Sequence, residues 1–289
     1  MTKKIICFVL VLILSMSLSL VAAAENVTDH SPVTTQPVAG NVSDRAPVTA
    51  QPAAGNVSDT APVTAAQPSA YELYLAAEKK MEGKSFGMQG VVKVAVTVAG
   101  QDIAETEADF TAKIRENSKG ELEMSILTTA EVAGEQIRIE QYFKDGYLYM
   151  NAAGEKTKTV MPALEAKRGI VHETEIPKEF FDDATVEDVD GGKLIRFSLS
   201  GEYMEQLIKD SVDAAMLKEL GDISFDRATM WIKIGEDGMM KAYQMTYRMS
   251  AEVEGTAMSL RTTTAANIVS VGQVYSISFP WDLASYQTI

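Results

Sequence analysis

The feature that most constrains the fold is a long series of alternating segments separated by glycine turns. Val92, Val94, Val96 and Val98 alternate with smaller or polar residues, which predicts a strand with one apolar face. Asp-Gly pairs between such segments are strong hairpin signals, because they adopt the left-handed backbone that tight turns require. The turn pairs are Ala99-Gly100, Lys119-Gly120, Ala133-Gly134, Asp145-Gly146, Asp190-Gly191, Asp237-Gly238 and Glu254-Gly255. Successive hairpins predict antiparallel pairing.

Four segments are predicted to be helical. Ser69 and Glu72 form a capping box before Tyr74, Ala77 and Met81, with Gly83 past the end. Short helices are predicted at Pro162 to Gly169 and at Pro177 to Phe181. A longer helix is predicted from Ser200 to Gly221, with apolar residues every four positions at Met204, Ile208, Val212, Met216 and Leu220.

These elements predict one α+β domain over residues 70–289, ending in a strand at Tyr275 to Phe279. Many one-sided strands and few helices require the sheet to bend around its own apolar face. We therefore predict a strongly curved antiparallel sheet, an incomplete β-barrel of roughly ten to twelve strands with a few covering helices.

The N-terminus resembles an export signal. Lys3 and Lys4 precede an apolar run from Ile5 to Leu20, and Ala22-Ala23-Ala24 supplies small residues for cleavage before Glu25. Residues 1–24 are thus predicted to be a signal peptide of a secreted or cell-surface protein. An uncleaved N-terminal anchor is the alternative, because the apolar run is long enough to cross a bilayer.

Cleavage would leave no cysteine, because Cys7 lies in the signal, so disulfides and thiol catalysis are excluded. The formal charge of −14 would become −16 with the loss of Lys3 and Lys4. This acidity argues against nucleic acid and anionic bilayer surfaces as partners.

Residues 25–69 contain a unit copied three times. The copies begin at Asn26, Asn41 and Asn56, and each continues through Pro-Val-Thr to Gln-Pro. The tract lacks bulky aromatic residues and carries Pro32, Pro37, Pro47, Pro52, Pro62 and Pro68. Such a segment cannot bury enough apolar surface to offset its ordering entropy, so we predict a disordered, semi-extended stalk.

Catalytic and metal-binding motifs are absent from the sequence. One histidine, His172, lies in the domain, and no nucleophile elbow, phosphate loop or dinucleotide fingerprint occurs. Five acidic residues between Asp182 and Asp190 lack the ligand spacing of a calcium loop. We expect no enzyme activity, no cofactor and no metal site.

Methionine and tyrosine are concentrated on the predicted apolar faces. The candidate ligand-binding residues are Met124, Met204, Ile208, Met216, Tyr243, Met245, Tyr247 and Met249. One interpretation is an ordinary packed core, because methionine fills irregular gaps. The other is a deformable apolar cavity between the curved sheet and the helices.

The domain also resembles a known group of exported proteins. The resemblance rests on the helix Tyr71-Glu72-Leu73-Tyr74-Leu75-Ala76-Ala77, the element from Tyr142 to Met150 and the ending Ile277-Ser278-Phe279-Pro280-Trp281-Asp282. It is similar to uncharacterised exported proteins and lipoproteins with the plan of LolA/LppX-type lipoprotein carriers. The resemblance implies an incomplete β-barrel with a lipid-holding cavity, covered here by Ser200 to Leu220 and Pro162 to Phe181. Lipid-anchored relatives carry a cysteine after the signal, and this chain has none.

Two functional hypotheses follow. The first is an extracytoplasmic, non-catalytic binding protein for a lipid or other apolar ligand, acting as a monomer. The second is a structural or protein-interaction domain displayed at the surface on a flexible stalk, with a cell-surface partner.

Overall fold

The structure of the protein is a computed structural model that describes residues 67–132, 134–162, 176–211, 223–253, 255–273 and 276–289. The predicted signal peptide, almost all of the predicted stalk and the predicted helix after Pro162 lie outside these residues. The same holds for the second half of the helix predicted from Ser200, including Met216.

The described helices begin where the sequence predicts. Helix α1 spans Ala70–Met81 and has the predicted capping box: the Ser69 hydroxyl accepts from the Glu72 amide at 3.3 Å, and the Glu72 carboxylate accepts from the Ser69 amide at 2.8 Å. Helix α2 spans Gly201–Ser211, and its first turn is capped by the Ser200 hydroxyl. Two 3₁₀ helices, η1 and η2, span Lys178–Phe181 and Leu283–Ser285.

The strands form one sheet. They are β1 Phe86–Val98, β2 Gln101–Glu116, β3 Leu122–Val132, β4 Glu135–Lys144, β5 Tyr147–Ala152, β6 Glu155–Val160, β7 Thr185–Val189, β8 Gly192–Leu199, β9 Ile223–Phe225, β10 Ala228–Gly235, β11 Met240–Val253, β12 Thr256–Val271 and β13 Gln287–Thr288.

The strand order is β13-β6-β5-β4-β3-β2-β1-β12-β11-β10-β8-β7, and β9 pairs separately with β11. Neighbours on this path are antiparallel except for β13, which lies parallel to β6. The two terminal strands of the path do not pair with each other, so the sheet is open. The predicted curved antiparallel sheet is confirmed, and short strands bring the number to 13.

The hairpin turns explain why the pairing is regular. Asp145 and Gly146 have φ of 53° and 79°, and Ala99 and Gly100 have φ of 49° and 79°. Two consecutive left-handed residues match the twist of the flanking strands, so each turn fixes the register of its hairpin.

The sheet has an apolar inner face and a polar outer face. Inner-face residues of β1–β4 and β8–β12 join the buried faces of α1 and α2 in one continuous hydrophobic core. Helix α1 packs against β10, β11 and η1. There the ring of Tyr74 stacks on Phe181 at 5.0 Å, and Phe181 stacks on Phe197 of β8 at 4.5 Å.

Gly90 lies where β1 passes closest to β12. A Cβ atom at this position would lie 2.2 Å from the Ala265 carbonyl oxygen and 2.8 Å from the Phe110 ring. Both distances are below van der Waals contact. Only glycine fits this point of the inner face.

The predicted strand at Tyr275 to Phe279 is wrong. Residues 276–280 lie outside any strand, and the C-terminal pairing is made instead by Gln287–Thr288 along β6. Side chains hold the segment in place, because Ile277 is buried and Phe279 contacts Tyr142. Pro280 has no amide hydrogen to donate to a ladder.

Candidate ligand-binding interior

Six of the eight predicted site residues lie in the described interior. Tyr243, Met245, Tyr247 and Met249 alternate along the inner face of β11, as predicted. Met124 lies on β3 and Met204 on α2, and all six are at most 3 % exposed and belong to the same core. Ile208 belongs to α2, but its side chain is not described, and Met216 falls outside the described residues.

The two halves of the inner face differ in side-chain size. On β8, β10 and β11 the rows are filled by large residues, such as the cross-strand series Phe197, Met230 and Met245. The continuation of this row across the sheet is Thr264, Val92, Ala108, Ala130 and Ile137. Along this row the inner surface of β2 and β3 carries only small side chains, whereas the neighbouring rows of these strands hold large ones such as Phe110, Ile126 and Met124.

Ala108 and Ala130 are 0 % and 3 % exposed. Within the described residues they form a separate small cluster with Ile137, apart from the main core. Ala104, Ala108 and Ala112 recur at every fourth position along β2, and this spacing is visible in the sequence. The site residues predicted from the sequence are instead mostly the larger methionines and tyrosines, four of which lie on β11.

Three buried hydroxyl groups without a hydrogen-bond partner in the described part of the chain lie on these apolar surfaces, those of Thr128, Tyr74 and Thr262. Thr128 is on the inner face of β3, two residues before Ala130, and is 2 % exposed. Tyr74 is 1 % exposed on the buried face of α1. Neither the Thr128 Oγ1 nor the Tyr74 Oη has a hydrogen-bond partner in the described part of the chain. A buried polar atom without a partner is costly, so each is a place where a bound group could supply a missing hydrogen bond.

The phenols of β11 stay neutral. Burial raises the pKa of Tyr243 well above its ordinary value, because the phenolate would lose its hydration. Burial also raises the pKa of Tyr247, against a smaller opposing effect from the Thr262 hydroxyl across the strand pair. The inner-face side chains of β11 are therefore all uncharged, which suits an uncharged or apolar ligand.

A surface pocket of about 400 Å³ lies elsewhere, at the ends of the β1–β2 and β11–β12 hairpins beside β9. Its lining residues are Thr97, Gly100, Ser224, Ser250, Ala251, Glu252, Ala257, Met258 and Ser259. Small side chains dominate this lining, unlike the predicted methionine-rich site.

Within the ranges given above, no group of three or more histidine, cysteine, aspartate or glutamate residues is placed to hold a metal. No helix in those ranges is long and apolar enough to cross a membrane.

The fold and its interior define a class of protein: an open, curved antiparallel sheet whose apolar face is covered by a few helices, as in LolA/LppX-like folds. Within that class, the chain belongs to a family of unknown function (DUF6612), whose model matches residues 70–286. No curated protein sequence matches the chain.

Solved structures similar to the chain include members of the group that the sequence resembles. LprF from Mycobacterium bovis is 16% identical, with a TM-score of 0.32, over 73% of this chain and 96% of that one. A LolA superfamily protein from Nitrosomonas europaea is 10% identical, with a TM-score of 0.23, over 66% and 88% of the two chains. A DUF1329 family protein from Desulfovibrio piger is 10% identical, with a TM-score of 0.27, over 72% and 93%. At these values no function is transferred from them.

Proposed function

We propose that the domain is an extracytoplasmic, non-catalytic binding protein for a lipid or another apolar ligand with a polar end. The observation that carries the proposal is the pair of buried hydroxyls, Tyr74 and Thr128, which lack partners among the described residues inside an apolar interior. Ligand sites of this kind are mostly apolar, with a few polar groups that fix the orientation of the ligand.

The row of small side chains on the inner surface of β2 and β3 is the part of the interior best suited to a hydrocarbon chain. Ala108 and Ala130 project little from the sheet, and Thr128 supplies a hydroxyl beside them. The methionines of β11 supply adaptability, because flexible thioether side chains can adjust to ligands of different shape. In this proposal Met124, Met204, Met245 and Met249 contact the ligand or repack when it enters, and Ile208 and Met216 keep their predicted role.

Export is part of the proposal. The signal-like residues 1–24 and the proline-rich repeats would place the domain outside the cytoplasm, at the end of a linker. An apolar ligand needs a carrier in that aqueous environment, because its exposed surface would otherwise be hydrated at a cost of about 25 cal/mol per Å².

Native mass spectrometry of the exported protein tests the proposal. We expect a bound lipid-sized mass that disappears after extraction with organic solvent and returns when lipid is added. The Thr128→Val variant keeps the shape of the side chain and removes the hydroxyl, so it should bind the lipid several-fold more weakly.

The matched control is Thr129→Val, which makes the same change on the outer face of β3. It should leave lipid binding unchanged. A protein that carries no lipid and gains no thermal stability from any added lipid would overturn the proposal.

A further inference from the structure

The outer face of the sheet has one region unlike the rest. Strands β4, β5 and β6 turn aromatic residues and lysines outward, and residues 276–289 run across them. We call this region the aromatic edge; it comprises Tyr142, Lys144, Tyr147, Tyr149, Lys156, Lys158 and Val160 of the sheet, with Phe279, Trp281, Tyr286 and Ile289 of the C-terminal segment.

The most exposed large hydrophobic side chain of the described residues lies there. Trp281 is 97 % exposed, whereas Trp231 on β10 is half-buried. Six large hydrophobic residues are exposed in the described part of the chain, and three of them, Val160, Trp281 and Ile289, belong to the aromatic edge. The exposed apolar surface is therefore concentrated at one side of the sheet.

The position of Trp281 is fixed on both sides. Phe279 packs against Tyr142, with ring centroids 6.1 Å apart. On the other side, Asp282 pairs with Lys156, and Tyr286 packs edge-on against Tyr149 at 5.5 Å. Tyr286 is 3 % exposed, and β13 then joins the sheet. The indole is thus exposed to solvent on a segment that is anchored on both sides, rather than on a frayed terminus.

The lysines here lie along aromatic rings. The Lys144 ammonium is 4.9 Å from the centre of the Phe279 ring, that of Lys156 is 5.7 Å from the Tyr286 ring, and that of Lys158 is 5.6 Å from the Tyr147 ring. Long lysine side chains can keep their stems on apolar surface while the charge reaches outward to water or phosphate.

The charge of this region also differs from that of the chain. Residues 138–160 and 276–289 carry four basic side chains (Arg138, Lys144, Lys156, Lys158) and four acidic ones (Glu140, Asp145, Glu155, Asp282), so their net charge is zero. The whole chain has a net charge of −14, and all of that excess lies outside these segments. An anionic lipid surface therefore repels the aromatic edge less than it repels the chain as a whole.

We propose that the aromatic edge is the surface by which this protein docks on a lipid bilayer, with Trp281 inserted at the headgroup level. Exposed tryptophan, flanking tyrosines and lysines are the side chains that favour the membrane–water interface. The docking rests on the proposed function, because a carrier of an apolar ligand must take it from a membrane or deliver it to one.

The fluorescence of a single tryptophan tests the docking. The chain contains two tryptophans, so the Trp231→Phe variant reports on Trp281 alone, and Trp281→Phe reports on Trp231 alone. The probe is a vesicle of phosphatidylcholine with one fifth phosphatidylglycerol. The emission of the Trp231→Phe protein should shift to shorter wavelength on adding vesicles and be quenched by brominated acyl chains, and that of Trp281→Phe should do neither.

Vesicle flotation gives the strength of the contact. Trp281→Ala should weaken binding of the exported protein by about tenfold or more, the loss expected for one buried aromatic side chain. The matched control is Val269→Ala, which removes apolar surface from a residue 56 % exposed on β12, away from the aromatic edge. It should leave binding unchanged.

An unchanged Trp281 emission at saturating lipid would overturn the docking, and so would equal flotation of the wild type and Trp281→Ala. An N-terminal membrane anchor would not imitate the result, because the emission reports on the surroundings of Trp281 itself. A protein that contains lipid by native mass spectrometry but shows no Trp281 shift would refute the docking and leave the proposed ligand binding intact. A Trp281 shift in a protein that never contains lipid would refute the proposed ligand binding and leave the docking intact.

Discussion

Removing the Tyr74 hydroxyl should stabilise the empty protein and reduce the additional stability that bound lipid provides. Tyr74 is 1 % exposed, its ring stacks on Phe181 at 5.0 Å, and its Oη has no partner among the described residues. The Tyr74→Phe variant keeps the ring and removes the uncompensated polar atom. An unsatisfied buried group costs about 1–3 kcal/mol, so the delipidated variant should be more stable by about 1 kcal/mol or more.

In a domain of this size, 1 kcal/mol corresponds to a shift of roughly 2–4 °C in Tm. The lipid-loaded protein should respond differently, because the ligand's polar end would supply the missing hydrogen bond. There, Tyr74→Phe should reduce the stabilisation by lipid, by about 1 kcal/mol or roughly fivefold in Kd. Thermal unfolding of delipidated and reloaded samples, followed by circular dichroism, measures both changes.

A control separates the ring from the hydroxyl. Tyr74→Leu removes the stacking on Phe181 as well and should destabilise both forms, by about 2–4 kcal/mol. If Tyr74→Phe destabilises the delipidated protein by 1 kcal/mol or more, the hydroxyl has a partner in the native state. The argument from an uncompensated hydroxyl would then be refuted.

Two further predictions concern the sheet itself. Gly90→Ala should destabilise the domain by about 2–4 kcal/mol in urea unfolding, because its Cβ would overlap the Ala265 carbonyl. Gly100→Ala, in an open turn, should cost only about 1 kcal/mol. Equal losses of stability in the two variants would contradict the steric argument. Burial raises the pKa of Tyr243 and Tyr247, so the stability from their neutral forms is fully present below about pH 10 and lost as pH rises above it. Alkaline titration followed by near-ultraviolet circular dichroism should show a later loss of structure in the Tyr243→Phe, Tyr247→Phe double variant, and identical curves would refute this.

The membrane docking and the ligand binding are linked by position in the fold. The aromatic edge lies on the outer face of β4–β6, and the row of Ala108 and Ala130 beside Thr128 lies on the inner face of β2 and β3. Strands β3 and β4 are direct neighbours, so the docking surface and the proposed ligand surface lie on opposite faces of one side of the sheet.

The sequence by itself determined the local elements of this protein. The pair Asp145-Gly146 predicted a hairpin that the structure has, and the spacing of Ser69 and Glu72 predicted the capping box of α1. The alternation along β11 placed Tyr243 and Met249 inside, because side chains of a strand point to opposite faces in turn. Each of these depends on residues a few positions apart, where the physics is local.

Tertiary structure decided what depends on distant residues. Nothing near β1 in the chain indicates that it pairs with β12, or that the C-terminal segment lies parallel to β6 rather than forming a strand at Tyr275 to Phe279. The exposure of Trp281 and the isolation of the Thr128 hydroxyl also appear only in the folded chain. Alternation indicates that a side chain points inward, but the hydrogen-bond partners and the side chains opposite it come from strands far away in sequence.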